Sequence, residues 1–206
     1  MPGERAVAAA ERSGPDGVDL RLLAPDEVDL VEALWRELLD HLDELGSVVP
    51  LVPHEVSWPR RRAAYDELLA DGRSFALGAW RGRRLIGYAM VHVADPDPVW
   101  ATGSTFAELS TLSVTRAERG AGVGTALLDQ VERELASRDI TEYVIGVDSV
   151  NDGARRFYER RGFRVGFHLL HGRVGVRPHT ARAGDDREPV AASLDETPDT
   201  AMHGEP

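Results

Sequence analysis

The segment ELSTLSVTRAERGAGVGTALL, residues 108–128, constrains the chain more than any other: a strand-like run passes through a glycine-dense turn straight into a helical pattern. Where a strand feeds a helix in this way, the first helical amides have no partner within the helix and point outward. Gly120, Gly122 and Gly124 carry no Cβ, so an anion can approach the main chain, and Arg119 adds a fixed positive charge. A glycine turn that merely begins a helix has the same composition, so the segment defines an anion-binding geometry before it defines a ligand. Two nucleotide motifs fail against it. The dinucleotide fingerprint needs a third glycine where Thr125 stands and an early place in a parallel βαβ unit. The P-loop needs a lysine, and all 24 basic residues are arginine.

The missing lysine also excludes Schiff-base chemistry. Cysteine is absent too, which excludes disulfides, thiolate nucleophiles, zinc ribbons and cysteine-ligated clusters. Any catalysis has to use oxygen, imidazole or main-chain groups. With 35 Asp+Glu the net charge is −11 and no long basic stretch exists, which argues against nucleic acid and favours a cationic or amine partner. No apolar run approaches the ~18 residues of a membrane helix, and residues 1–10 lack a secretory pattern. The expectation is a cytoplasmic protein with no membrane contact.

The 206 residues suit one domain. Residues 1–17 read as a flexible leader and residues 176–206 as a disordered acidic tail, since neither offers enough large apolar side chains to offset the entropy of ordering. Between them, residues 18–175 form the expected domain. Residues 18–23 read as a strand. Val28, Val31, Leu34, Trp35, Leu38, Leu42 and Leu45 give a long amphipathic helix that Gly46 ends. A proline-punctuated loop and a helix over 60–70 follow. Residues 74–80, 85–94 and 106–114 read as an antiparallel meander, then come a helix over 122–137, a strand over 143–147 and a helix over 152–161. Phe163, Val165, Phe167 and Leu169 alternate as a last strand over 163–170. The order βααβββαβαβ predicts an α/β (α+β) fold, a mixed and mostly antiparallel sheet of six or seven strands with helices on both faces.

Two motifs carry a family resemblance. The first is Arg119-Gly120-Ala121-Gly122-Val123-Gly124, preceded by Leu112-Ser113-Val114. The second, about thirty residues on, is VNDGARRFYERRGF, residues 150–163. There Asn151 suits a helix cap, Asn151, Ala154 and Tyr158 share one stripe, and Gly162 suits the helix end. Together they resemble the GNAT superfamily of N-acetyltransferases.

The resemblance implies that Arg119 to Thr125, through Gly120, Ala121, Gly122, Val123 and Gly124, bind the diphosphate of acetyl-CoA. It implies that Leu112, Ser113 and Val114 line pantetheine in a gap between the strands over 106–114 and 143–147, and that Asn151 and Ala154 form a second CoA-contacting element. The implied activity is direct attack of a primary amine on the thioester in a ternary complex, without a metal. The amine would belong to a small molecule or a peptide. Tyr158 would protonate the leaving thiolate, although an aromatic beside Phe157 near a helix end also reads as core. Glu108 would serve as base or water relay, or stand only as a strand carboxylate that orients substrate. On strict alternation it shares a face with Ser110 and Leu112, and His92 on the neighbouring strand could assist it. Asp40, His41, Asp43 and Glu44 could meet a cationic acceptor or form a solvated helix face. His54, Trp58 and the Arg60 to Arg62 triplet shape a pocket at most. The C-terminal end would complete the acceptor site or a homodimer edge. A catalytically silent acyl-CoA sensor or interaction module is the alternative.

Overall fold

The computed structural model describes residues 12–13, 17–95, 105–172 and 174. The tail over 176–206 and most of the leader lie outside these residues. Six strands follow one another in spatial order: β1 (Arg12–Ser13), β2 (Asp19–Leu22), β3 (Phe75–Arg81), β4 (Arg84–Ala94), β5 (Phe106–Val114) and β6 (Tyr143–Val144). Every pairing is antiparallel except that of β5 with β6. Arg12 and Ser13, in the segment expected to be a loose leader, pair with Leu20 and Asp19. The first unit of the chain runs to Gly166; in the second, residues 167–172 form no helix or strand.

Helices cover both faces of the sheet. On one, α1 (Glu32–Glu44) and α2 (His54–Leu69) bury Leu34, Trp35, Leu39 and Tyr65 against Ala76, Tyr88 and Met90. A 3-10 turn over Pro25–Val31 leads into α1, begun by a capping box in which the Glu27 carboxylate accepts from the Ala24 N–H at 3.0 Å. On the other face, α3 (Val123–Ala136) turns Val123, Leu127, Leu128, Val131 and Leu135 into a core shared with Ile86, Ala89, Val91, Ala107 and Leu109. The spacing of those five residues is that of one helical face. Helix α4 (Asp152–Arg160) adds Tyr158 to the same core.

The second helix begins six residues earlier than residue 60. Pro53 caps α2, and Pro59 sits early inside it on the exposed side, where a missing N–H costs one bond rather than the helix. The last expected strand, 163–170, does not form. A strand exists by pairing, and β6 spans only two residues, so it offers no edge long enough to extend the sheet. Phe163 alone packs, edge-on against the rings of Tyr143 at 5.1 Å and Tyr158 at 5.4 Å, while Val165 is 64% exposed.

A second departure lies inside β5. Its register against β4 runs Leu112 to Ala89 and Thr111 to Met90, then Leu109 to Val91 and Glu108 to His92, so Ser110 is an extra residue forming a bulge. The bulge reverses the alternation. Ala107 and Leu109 face the α3 side before it, Leu112 and Val114 face that side after it, and Thr111 and Ser113 turn toward α1 and α2.

Candidate functional site: a glycine loop at the mouth of a split sheet

From β5 the chain enters a short 3-10 turn, Arg116–Glu118, held from α1. The Glu37 carboxylate accepts from the Thr115 hydroxyl at 2.9 Å and from the Arg116 N–H at 2.8 Å, while Glu44 takes the Arg116 guanidinium at 2.7 Å. Gly120 and Gly122 then adopt φ of 80° and 84°, the left-handed conformation that side chains resist. A Cβ on Gly120 would meet nothing within 4 Å, so that face of the loop is open. Gly122 is the N-cap of α3, and no side chain caps the helix. The first intrahelical bond runs from Ala126 N–H to Gly122 O at 3.0 Å, which leaves the amides of Val123, Gly124 and Thr125 without helical acceptors. These amides and the positive end of the helix dipole suit a phosphate group.

Beside this loop the sheet divides. β5 and β6 pair only through Ala107 with Tyr143 and Glu108 with Val144; β6 ends there, while β5 runs on to Val114 with no strand beside it on that edge among the described residues. The Thr115 N–H bonds Ile86 O at 2.9 Å, so by alternation Ser113 and Thr111 turn their main chain to β4, and Leu112 and Val114 turn theirs to the gap. Ser113 lies the other way, its buried hydroxyl donating to Leu34 O at 3.1 Å. Arg119 reaches back and donates through Nε to Val114 O at 3.1 Å, which sets its guanidinium at the mouth of the gap.

The second motif closes on its own helix. Asn151 Oδ1 accepts from the Ala154 N–H at 3.0 Å, and Gly162, at φ 92°, ends α4 with bonds from Phe163 N–H to Tyr158 O and from Gly162 N–H to Glu159 O. Ala154 packs partly buried against the α3 core. Tyr158 is buried between the edges of Phe157 and Phe163, and burial pushes its hydroxyl pKa well up. The phenol is therefore protonated across the neutral range, the form that can donate.

The bulge corrects one expectation from the sequence. Glu108 does not share a face with Leu112: it stands opposite His92, on the face carrying Tyr88 and Met90, whereas Leu112 packs with the α3 core. Glu108 and His92 are cross-strand neighbours on the α1/α2 side. The acidic group on α1 lies elsewhere: Asp40, Asp43 and Glu44 line a hollow with Thr115, Arg116 and Ala117 at the 3-10 turn. Glu44 is engaged by Arg116, and Asp40 meets His54 at 3.0 Å. Burial, then the charge on Arg119, holds His41 below its usual pKa. Trp58 is core, and Arg61 stacks on Trp35 at 4.3 Å.

Sequence reasoning missed Glu37, which fixes the exit of β5, and the hydroxyl group of Tyr65. It also missed the bulge, although a signal was present. Leu109 and Leu112 are three apart, where an unbroken strand would keep one face at two-residue spacing.

Comparison with known proteins agrees with this geometry. The profile of the Acetyltransferase (GNAT) family matches residues 31–163. A mycothiol acetyltransferase of Amycolatopsis mediterranei (strain U-32) is 33% identical over 149 residues, 72% of this chain and 46% of that protein. The chain thus spans about half the length of that curated relative. Among solved structures, a GCN5-related N-acetyltransferase from Ralstonia eutropha JMP134 has a TM-score of 0.63 at 23% identity, over 77% of this chain and all of that one (100%). A predicted acetyltransferase from Clostridium acetobutylicum, solved with acetyl-CoA, has a TM-score of 0.61 at 18% identity, over 79% of this chain and 99% of that one. These two likenesses are of fold. The chain belongs to the GNAT acetyltransferase family.

Proposed function

We propose that the chain is a cytoplasmic N-acetyltransferase that moves the acetyl group of acetyl-CoA to a primary amine by direct attack in a ternary complex. The observation that carries this reading is the row of uncapped amides at Val123, Gly124 and Thr125, set beside a sheet that opens immediately beyond Glu108. Open space at Gly120 and the absence of a capping side chain fit a diphosphate.

Acetyl-CoA supplies the activated acetyl group as a thioester. Arg119 and the loop through Thr125 hold the diphosphate, with Asn151 and Ala154 on the adjoining helix. The main-chain groups of Leu112 and Val114 receive the pantetheine arm, and an N–H here polarises the carbonyl as charge develops on its oxygen. An ammonium has no lone pair, so the acceptor has to lose a proton; Glu108 takes it on the α1/α2 side, with His92 opposite as a second titratable group. Tyr158, in the core on the α3 side, gives its proton to the departing sulfur. Base and acid thus lie on opposite faces of the sheet, which suits an amine arriving from one face and a thiolate leaving toward the other. With no cysteine, no thiol acyl-enzyme is available.

The test is thiol release from acetyl-CoA with a panel of polyamines, amino acids, aminoglycosides, peptides and, given the 33% identical relative, mycothiol-related amines. Amine-stimulated release is expected with at least one class. Tight CoA binding with no release across the panel would instead assign a silent acyl-CoA module.

A further inference from the structure

Directly behind the bulge in β5 lies a buried line of hydroxyl groups that neither the diphosphate loop nor the proton transfers use. Tyr65, from α2, is completely buried; its hydroxyl lies 2.7 Å from Thr111 Oγ1 and 3.2 Å from the hydroxyl of Tyr88, also completely buried. Thr111 donates its hydroxyl to the carbonyl of Ser110 at 2.8 Å. A carbonyl can only accept, so this last bond sets the direction of all the others. Thr111 has given its one hydrogen to Ser110, so Tyr65 donates to Thr111, and Tyr88 donates to Tyr65. The chain Tyr88 to Tyr65 to Thr111 to Ser110 O is fully satisfied, and each bond polarises the next.

Its end point is the feature that matters. Ser110 is the residue inserted in β5, and its carbonyl would otherwise lie at a break in the ladder to β4. Main-chain groups two and four residues further on, at Leu112 and Val114, face the gap between β5 and β6. Glu108, two residues back, faces the α1/α2 side. The bulge therefore sets the relation between the proposed base and the main chain that would polarise the thioester.

We infer that Tyr65 and Thr111 are positioning residues for acetyl transfer: their hydroxyl chain fixes the Ser110 peptide, and with it the alignment of Glu108 against the main chain at Leu112. Through α2 the same chain ties the helical layer over the acceptor side to the reacting strand. This inference rests on the proposed acetyl transfer and adds residues to it.

The experiment compares Tyr65→Phe, Thr111→Val, Thr111→Ser and the Tyr65→Phe/Thr111→Val double variant in the full chain. Each is measured by steady-state kinetics with the best amine of the panel, by calorimetric titration with CoA, and by thermal unfolding. Tyr65→Phe and Thr111→Val are expected to lower kcat about tenfold while the Kd for CoA stays within about twofold, because the diphosphate loop is built separately. The double variant should lose no more than about the larger single loss, since both substitutions cut one chain. Thr111→Ser keeps the hydroxyl and should restore kcat. A purely structural role predicts lowered thermal midpoints with wild-type kcat in the folded variants, and that result overturns the inference. So does a Thr111→Ser variant as slow as Thr111→Val. If the wild-type chain binds no CoA or turns over no amine, the acetyl-transfer reading itself fails, and the two failures are thereby distinguished.

Discussion

At the scale of single residues, the protonation state of Tyr158 decides what it can do. Burial among Phe157, Phe163 and the α3 core disfavours the phenolate, so the side chain is a donor rather than a base at neutral pH. Tyr158→Phe keeps the ring and both edge-on contacts and deletes only the hydroxyl. We expect kcat to fall about tenfold to a thousandfold with little change in CoA affinity. Turnover equal to the wild type would leave Tyr158 as a packing residue. Glu27 makes a separate residue-scale prediction. The Arg21 guanidinium at 2.7 Å, and then the Ala24 N–H, hold its pKa down to about 2 from an ordinary 4.5. A depressed carboxylate stabilises the fold above its unfolded-state value and loses that contribution as pH falls toward the folded one. The stability gap between wild type and Glu27→Gln should therefore be constant above about pH 5 and close between pH 4.5 and about 2, as read from urea midpoints across that range.

At the scale of elements, the glycine loop is the most direct target. Gly122 has φ 84°, where a β-branched side chain is strained, so Gly122→Val has to rebuild the N-cap of α3. Calorimetry should show CoA affinity weakened by tenfold or more, about 1.4 kcal/mol, with the far-UV spectrum of the folded chain retained. Undiminished affinity would remove the loop from the binding site. This element was legible in the sequence because its signals are local: glycines before a helix, Asn151 before α4 and Gly162 after it each act within a few residues. β5 was legible as a strand but not in its facing, since one inserted residue, Ser110, reversed every assignment beyond it. The strand expected over 163–170 failed for the opposite reason. Its alternation is real, but a strand needs an edge, and the two-residue length of β6 is a property of distant pairing that no local pattern records. The Tyr65 to Thr111 contact joins residues 46 apart and was invisible for the same cause.

At the scale of the whole molecule, the proposed function asks a chain of net charge −11 to capture an anionic donor. At low ionic strength, where the Debye length is long, the net charge repels an approaching anion, while the loop amides and Arg119 attract it at close range. Raising ionic strength from about 10 mM to about 150 mM should therefore speed CoA association in stopped-flow measurements, whereas a slower rate would show that the local positive field already dominates at a distance. The insertion at Ser110 has a consequence of its own at this scale. Because Thr111 lies against Met90 and Leu109 against Val91, losing the single codon for Ser110 would join the two runs into an unbroken ladder, with Glu108 still opposite His92. The diphosphate grip, built further along the chain, would be untouched. What that one codon carries is the carbonyl on which the hydroxyl of Thr111 rests, so a chain shortened here would keep the carboxylate's facing and lose the anchor of the buried hydroxyl line.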